Sequence, residues 1–339
     1  MAIAADVAER DASDGEDAMA DTADAEPKLI LMDVDTGVDD ALAIILAHRS
    51  PRAQVVAIGT VTGNVSSAQA ATNTLKTLDA LGAQTPVAVG APQAMARGPV
   101  PPSAVHGADG LGDADLPAPT RAPTGEHAVD QLLRLVHERP GELSLYASGP
   151  LTNLGLALQR DPELPRLVKE VMVMGGAIVA AGNVTATAEA NIYHDPEAAD
   201  LVFAADWPVT LVALDVTMRA LLRKDELATL RASDRPLARF TMRILPPYLK
   251  LYSQRFGFEA VTMHDPLAMA LLLDPSLALE RVRLDTRVET AGELTVGMTV
   301  ADRRPLIGPG YEQPTHPLEI PVEVDTPRFI AMLMDALLE

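Results

Sequence analysis

Four aspartates within eight positions are the most chemically informative feature of this sequence. They are Asp33, Asp35, Asp39 and Asp40, and an apolar run at 29–32 precedes them. Carboxylates crowded this closely raise one another's pKa unless a cation lies among them. All of the ligand atoms on offer are oxygens, which favours a hard ion, Ca²⁺ or Mg²⁺, over zinc. The cluster therefore predicts a site for a divalent metal ion.

The pattern around these aspartates indicates how they are positioned. Residues 29–34 have the apolar composition of a buried parallel strand, and a turn follows them. Side chains alternate along a strand, so Asp33 and Asp35 leave it on the same face. Asp39 and Asp40 fall in the first turn of the next helix, where the helix dipole favours negative charge.

The same segment is open to other interpretations. Asp-Val-Asp-Thr after an apolar strand also fits the nucleophile motif of haloacid-dehalogenase-like phosphatases, which bind Mg²⁺, but that motif leaves Asp39 and Asp40 unexplained. An EF-hand does not fit, because the glycine comes one position early and Ile44 stands where a bidentate Glu is needed. Simple helix capping needs one or two carboxylates, not four.

From Lys28 onward, strand and helix patterns alternate. Strands are predicted at 29–34, 54–61, 86–89, 142–147, 170–174 and 208–214. Helices are predicted at 38–48, 66–81, 125–138, 151–159, 196–204 and 264–272. This order predicts an α/β fold with an open, mainly parallel sheet and helices on both faces. Further strands are predicted at 281–289, 293–301 and 319–324, as a small antiparallel addition near the C-terminus. A closing helix is predicted at 326–338.

Polar clusters follow several of these strands. Thr-Gly-Asn ends at Asn64, Ala-Ser-Gly-Pro-Leu-Thr-Asn spans 147–153, and Met-Gly-Gly begins at Met174. Ligands bind outside the carboxyl ends of the strands in open parallel sheets. We therefore expect Asp35, Asn64 and Ser148 to reach one crevice.

Two His-Asp-Pro triplets occur, at 194–196 and 264–266. The second opens a strongly apolar helix and places Asp265 at its N-terminus, where it could offer the cation a further oxygen. His264 beside it could act as an acid near neutral pH. In the first triplet Asp195 precedes a proline at the first helical position, which is typical of an N-cap. Spacing alone does not separate the two triplets.

Further side chains suit ligand binding. They are Asn183, Glu189 and Asn191 before a new helix, His106 in the Pro- and Gly-rich loop 91–124, and Tyr248, Tyr252 and Arg255 at helical spacing. The amides and the carboxylate suit hydrogen bonds to hydroxyl groups, although turn chemistry explains them equally well. The tyrosines could wall a binding pocket in a chain that is only 3% aromatic, or they could pack in the core.

Composition bounds the remaining possibilities. The chain has 339 residues, and residues 1–27 are rich in Ala, Asp and Glu, so we expect a disordered acidic tail there and a single domain over 28–339. The formal charge of -20 argues against nucleic acid or an anionic membrane as a partner. There is no cysteine, no stretch long enough to span a bilayer and no signal-peptide pattern, so we expect a soluble, cytoplasmic protein.

Taken together, these segments resemble the nucleoside hydrolases, the inosine–uridine-preferring type in particular, over about residues 28–335. The motifs that carry the resemblance occur in this order: Asp-Val-Asp-Thr-Gly-Val-Asp-Asp-Ala, Gly-Asn-Val, His-Gly-Ala-Asp-Gly-Leu, Gly-Pro-Leu-Thr-Asn, Val-Met-Gly-Gly, Glu-Ala-Asn-Ile-Tyr-His-Asp-Pro-Glu-Ala-Ala and Met-His-Asp-Pro-Leu-Ala. The phosphatase interpretation explains only the first. A second alternative is a nucleoside-binding protein without catalysis, against which the intact acid and base candidates argue. The resemblance implies a Rossmann-like nucleoside hydrolase fold, a tightly held Ca²⁺ and hydrolysis of the N-glycosidic bond of ribonucleosides.

The resemblance also implies a role for each candidate residue. The metal ligands would be the carboxylates of Asp35, Asp40 and Asp265 and the backbone carbonyl of Ser148. Asp35 would also be the general base, His264 would assist departure of the nucleobase, and Asn64 would lie close to the ribose and the metal. The substrate contacts would be Asp39 and Asn191 to the 2′- and 3′-hydroxyls, Asn183 and Glu189 to the 5′-hydroxyl, Met174 in the same pocket, and His106, Tyr248 and Tyr252 facing the base.

The chemistry of glycosidic bond cleavage also explains these residue types independently of the resemblance. Cleavage of a glycosidic bond builds positive charge on the sugar, so an anionic pocket around the ribose suits the transition state. Trp207 begins a predicted strand and is expected in the core, so the pocket lacks a tryptophan and a mixed purine and pyrimidine preference is expected. The resemblance further implies a homodimer or homotetramer that acts on small-molecule nucleosides in salvage.

Overall fold

The computed structural model describes residues 26–98, 104–308, 310–311, 314–315 and 317–339. The expected acidic tail, 1–27, lies outside the described residues apart from its last two positions, so it stays a prediction. The strands are β1 Lys28–Val34, β2 Ala53–Thr60, β3 Val87–Val89, β4 Leu143–Ala147, β5 Glu170–Met174, β6 Val209–Val212, β7 Leu221–Arg223, β8 Ala260–Thr262, β9 Ala278–Val288, β10 Thr299–Ala301 and β11 Pro317–Val324.

The helices cover both faces of the sheet built from these strands. They are α1 Val38–Arg49, α2 Ser67–Leu81, α3 Ala128–Glu138, α4 Thr152–Arg160, α5 Leu164–Leu167, α6 Ala190–His194, α7 Pro196–Ala204, α8 Leu214–Thr217, α9 Lys224–Ala232, α10 Pro236–Ile244, α11 Pro246–Phe256, α12 His264–Leu273 and α13 Thr326–Leu338. In the part of the chain that the structure describes, no helix is both long enough and apolar enough to cross a membrane.

Nine strands form one sheet in the order β10-β9-β11-β6-β5-β4-β1-β2-β3. From β3 to β6 every neighbouring pair is parallel. This is the doubly wound order 3-2-1-4-5-6, so the predicted Rossmann-like α/β fold is confirmed. The strand order reverses between β1 and β4, where a crevice opens at the carboxyl ends of the strands. Asp35 follows β1 and Ser148 follows β4, so both lie at this crevice.

The predicted antiparallel addition is also present. β9 pairs antiparallel with β10 and with β11, whereas β11 is parallel to β6. The prediction of a strand over 293–301 is wrong in its first half, because only Thr299–Ala301 pairs with β9. The preceding residues form a turn in which Gly297 adopts a φ of 78°, a conformation that ends a strand. The short pair β7–β8 and the helices α5, α6 and α8 to α10 were not predicted, and the helical spacing of the tyrosines and Arg255 over 248–256 falls on α11.

Helices α1 and α12 pack against each other in the centre of the molecule. Residues 38–47 and 264–273 are buried in every position, so neither helix has the polar face of a surface helix. The exceptions to their apolar composition are the acids and the histidine of their first turns. The N-terminal ends of two buried helices therefore present Asp39, Asp40 and Asp265 to the crevice, where the helix dipoles favour negative charge.

A buried amide joins the strand ends beside this crevice. Asn153 of α4 donates from Nδ2 to Asp33 Oδ1 at 2.7 Å and to the carbonyl of Thr60 at 3.0 Å, and its Oδ1 accepts from the Ala91 N–H at 2.9 Å. Burial raises the pKa of Asp33 to about 7, and the Asn153 hydrogen bond lowers it in part. Asp33 is therefore held within the scaffold.

We expect Asn153→Ala to lower the free energy of unfolding by about 3 kcal/mol, because it leaves the buried Asp33 carboxylate and the buried Ala91 N–H without this partner, whereas the Thr60 carbonyl still accepts from the Gly90 N–H. Urea denaturation measures the change. Gln159→Ala, at an exposed position of the same helix, is the matched control and should change stability by less than about 0.5 kcal/mol. Equal losses in the two variants would contradict a linking role for Asn153.

Candidate active site

The predicted acid cluster forms where β1, α1 and α12 meet. Carboxylate oxygens of Asp39, Asp40 and Asp265 lie within 4.8 Å of one another and could hold a metal ion. This compact group includes Asp39, which the sequence assigned to the sugar, and it does not include Asp35. Asp35 lies next to it, and its carboxylate accepts hydrogen bonds from the backbone N–H and the Nδ2 of Asn64 at 2.7 and 3.1 Å.

The electrostatics of this cluster favour a cation. Burial raises the pKa of Asp39 to about 6, and burial together with repulsion from Asp39 raises that of Asp40 to about 6. Burial and repulsion from neighbouring aspartates hold the pKa values of Asp35 and Asp265 well above their usual range. A positive ion among these groups would favour their charged forms.

Further oxygen atoms complete a donor set for a hard cation. The carbonyl of Ser148 accepts from Asn191 Nδ2 at 2.9 Å and keeps a second lone pair. The hydroxyl of Ser148 donates to Asp40 Oδ1 at 2.7 Å, and the backbone N–H of Gly37 donates to Asp40 Oδ2 at 2.8 Å. The donor set contains carboxylate and carbonyl oxygens and no thiolate, so the residues present fit Ca²⁺ or Mg²⁺.

A cavity of about 300 Å³ opens above the cluster. Its lining contains every predicted site residue except Asp35 and Asp40. The predicted residues in the lining are Asp39, Asn64, His106, Ser148, Met174, Asn183, Glu189, Asn191, Tyr248, Tyr252, His264 and Asp265. The lining also contains side chains that were not assigned to the site, namely Val105, Val184, Ala190, His194 and Arg255. The helical spacing of Arg255 from the two tyrosines was the signal for that residue. The sequence carried no such signal for His194, which precedes an N-cap.

At the acidic side of the cavity, polar side chains that line the cavity also accept hydrogen bonds from the backbone. The carboxylate of Glu189 accepts from the N–H groups of Gly176, Asn191 and Ile192 at 2.9 to 3.2 Å. Asn183 Oδ1 accepts from the Ala190 N–H at 2.9 Å. The two interpretations of this segment, turn chemistry and a ligand contact, are therefore compatible. The triplet at 194–196 does act as an N-cap, since Asp195 accepts from the Ala198 N–H at 3.1 Å.

The opposite side of the cavity is aromatic. The His106 ring stacks on Tyr248 with a centroid distance of 4.8 Å, and Tyr248 contacts Tyr252 edge-on at 4.9 Å. The hydroxyl of Tyr248 donates to Asp39 Oδ2 at 3.1 Å, and the Tyr252 hydroxyl lies 2.8 Å from His264 Nε2. Both tyrosines are buried, so they pack in the core and wall the cavity at the same time.

Burial favours the neutral form of His106 and His264, two of the three histidines that line the cavity. Burial lowers the pKa of His106 to about 4, and burial together with the neighbouring His106 and Arg255 lowers that of His264 to about 3. This differs from the expectation that His264 is an acid that titrates near neutral pH. Desolvation is the reason, since a charged imidazolium loses hydration in this site. A neutral imidazole still has one N–H to donate.

Comparisons with known proteins agree with this geometry. The inosine-uridine preferring nucleoside hydrolase family matches residues 30–331 of the chain. The chain belongs to this family. It is therefore a hydrolase that acts on N-glycosyl compounds, and the phosphatase interpretation of the aspartate motif is set aside.

Relatives match along nearly the whole chain. The inosine-uridine preferring nucleoside hydrolase of Crithidia fasciculata is 39% identical over 92% of this chain and 98% of its own length. The pyrimidine-specific ribonucleoside hydrolase RihA of Photobacterium profundum is 36% identical over 91% of this chain and 98% of its own length. Among solved structures, the purine-preferring ribonucleoside hydrolase of Gardnerella vaginalis has a TM-score of 0.85 at 33% identity and covers 91% of this chain and 98% of its own.

We expect this nucleoside hydrolase to bind a divalent ion at the acid cluster and to be stabilised by it. Adding CaCl₂ to chelator-treated protein at about a thousand times Kd should raise the free energy of unfolding by about 4 kcal/mol, because only the folded state has the site. Differential scanning calorimetry measures the shift, with MgCl₂ and ZnCl₂ as comparisons.

Two variants sharpen this measurement. Asp265→Asn removes one carboxylate of the cluster and should abolish most of the stabilisation, whereas Asp130→Asn on the exposed face of α3 should retain it. The same increase in both variants would mean that the ion binds elsewhere.

Proposed function

We propose that this chain is a Ca²⁺-dependent ribonucleoside hydrolase that releases ribose and a free nucleobase. The observation that carries the proposal is the convergence of Asp39, Asp40 and Asp265 within 4.8 Å on one side of a cavity whose other side is aromatic. The acidic side suits a metal ion and a sugar diol, and the aromatic side suits a planar base. The family membership supports the same chemistry.

The ligands that we propose for the ion are the carboxylates of Asp35, Asp40 and Asp265 and the carbonyl of Ser148. When bound, the ion would lower the pKa of a water molecule and orient the 2′- and 3′-hydroxyls of the sugar. Asp39 belongs to the same cluster and is the proposed acceptor for the 2′-hydroxyl. Its hydrogen bond from Tyr248 positions the carboxylate.

Asp35 is the proposed general base. Its carboxylate is held by Asn64 and faces the cluster, so it can take the proton from the attacking water. The water oxygen bonds to the anomeric carbon as the carbon–nitrogen bond breaks, and the electron pair of that bond goes to the base nitrogen. The surrounding carboxylates stabilise the positive charge that develops on the sugar.

The remaining residues have assignments at the two sides of the cavity. Asn191 is the proposed contact to the 3′-hydroxyl, and Asn183 and Glu189 are the proposed contacts to the 5′-hydroxyl. At the aromatic side, His264 and the Tyr252 hydroxyl 2.8 Å from its Nε2 are the proposed groups that assist the departing base. Donors there stabilise negative charge on the leaving group.

A mixed purine and pyrimidine preference is the proposed specificity. The relatives at similar identity include an inosine-uridine preferring, a pyrimidine-specific and a purine-preferring enzyme. The wall consists of His106, Tyr248 and Tyr252, and Trp207 is absent from it because its indole donates to the Val202 carbonyl in the core.

We expect Asp35→Asn to lower kcat by about a thousandfold or more on inosine and uridine, because the amide cannot take a proton from water. Reducing-sugar release from a nucleoside panel, with and without chelator, measures this. Asp130→Asn is the control and should keep the activity of the unmodified chain. An unchanged kcat in Asp35→Asn would remove this residue from the base role, and no sugar release by the unmodified protein with Ca²⁺ would overturn the proposed function.

We also propose a homodimer or homotetramer in the cytoplasm. Exposed apolar side chains beside the antiparallel edge of the sheet support the association, namely Leu294, Val300, Leu306 and Ile307. Light scattering on a size-exclusion column should give two or four times the mass of one chain. A mass of one chain at micromolar concentration would contradict this part of the proposal.

A further inference from the structure

The imidazole of His264 is held from behind by a buried threonine. Thr217 ends the short helix α8 and is fully buried, and its Oγ1 lies 2.7 Å from His264 Nδ1. On the other side of the ring, Nε2 lies 2.8 Å from the Tyr252 hydroxyl and 2.9 Å from Thr262 Oγ1. Both ring nitrogens therefore have partners, and the partners decide which nitrogen carries the hydrogen.

The threonine hydroxyl determines this choice. Within the described part of the chain, Oγ1 of Thr217 has one hydrogen-bond partner, and that partner is Nδ1 of His264. A buried hydroxyl donates its hydrogen wherever an acceptor is within reach, because an unpaired buried donor is costly. If Nδ1 carried the hydrogen, the hydroxyl hydrogen of Thr217 would have no acceptor. Nδ1 is therefore the acceptor, and Nε2 carries the hydrogen.

A hydrogen-bond donor also sets the tautomer of His106, which lines the same cavity. The backbone N–H of Val38 donates to His106 Nδ1 at 3.1 Å. A backbone N–H can only donate, so Nδ1 of this ring is an acceptor and Nε2 carries the hydrogen. His106 and His264 thus share the same tautomer, each set by a donor that does not line the cavity.

We propose that Thr217 is a positioning residue that fixes the Nε2–H tautomer of His264 and thereby frees the hydroxyl hydrogen of Tyr252 for the leaving base. In this tautomer Nε2–H donates to the Tyr252 and Thr262 oxygens, which lie 2.8 and 2.9 Å away, so Nε2 no longer accepts the phenol hydrogen and that hydrogen can point into the cavity. In the other tautomer the Nε2 lone pair accepts the phenol hydrogen, and the base loses its donor. This inference rests on the proposed function, because it concerns the departure of the base.

The test compares two kinds of leaving group. A nucleobase leaves poorly without a hydrogen-bond donor, whereas 4-nitrophenolate leaves from 4-nitrophenyl β-D-riboside without one. Thr217→Val removes the hydroxyl and keeps the shape, so we expect kcat on inosine to fall about 30-fold while kcat on the nitrophenyl riboside stays within about threefold. Thr217→Ser restores the hydroxyl and should return inosine turnover to within about threefold of the unmodified chain.

A matched control isolates the cost of the substitution. Thr241 of α10 is also fully buried, its Oγ1 has no partner among the described residues, and it does not line the cavity. Thr241→Val should leave turnover of both substrates unchanged. Equal losses on both substrates in Thr217→Val would show a merely structural role and overturn the proposal.

The tautomer can also be read directly without any substitution at Thr217. In ¹⁵N-histidine-labelled holoprotein, the His264 signals, assigned by their loss in His264→Gln, should show a protonated Nε2 and an unprotonated Nδ1. A protonated Nδ1 would overturn the proposal even if Thr217→Val does not fold. If the unmodified chain hydrolyses neither riboside, the proposed function fails, and the spectrum still decides the tautomer.

Discussion

Mutual repulsion among buried carboxylates is the interaction that the surrounding structure has to offset. Asp35, Asp39, Asp40 and Asp265 are all buried near one point, and their raised pKa values show that the scaffold alone does not compensate their charge. The N-termini of α1 and α12 and the hydrogen bonds from Asn64, Gly37 and Ser148 offset part of the cost. Arg255 is the only lysine or arginine among the described residues that line the cavity, and it lies at the aromatic side. A divalent ion is the natural complement of such a site.

The two sides of the cavity carry different kinds of polar groups, and these suit the opposite charges that develop when a glycosidic bond breaks. At one side the groups are anionic oxygens, which suit the positive charge that develops on a sugar. At the other side the groups are hydrogen-bond donors, namely the imidazoles of His106 and His264, the Tyr252 hydroxyl and the Arg255 guanidinium over the Tyr252 ring, and they suit the negative charge that develops on a leaving base. Burial favours the neutral form of His106 and His264, so these two rings do not neutralise the carboxylates that lie close to them. The hydrogen bond between Tyr248 and Asp39 joins the two sides.

Much of this arrangement could be predicted from local sequence. The apolar run before Asp33, the acids in the first turn of a helix and the polar residues after each strand predicted β1, α1 and the crevice, because hydrophobic period and turn residues act over a few positions. The segment 214–262 was not resolved into α8 to α10 and the β7–β8 pair, since its short elements and prolines give no sustained period. The strand predicted at 293–301 is shorter than expected because residues 293–297 form a turn that contains Gly297.

By itself, the sequence predicted the α/β class, a cluster of carboxylate oxygens and most of the residues that line the cavity. Which carboxylates group most closely, with Asp39 inside the compact set, was decided by how α1 packs against α12. The protonation of the histidines was also decided by tertiary contacts. Thr217 and His264 are 47 positions apart, and Val38 and His106 are 68 apart. Hydrogen bonds and desolvation depend on distance in space, and only the folded chain brings these groups together.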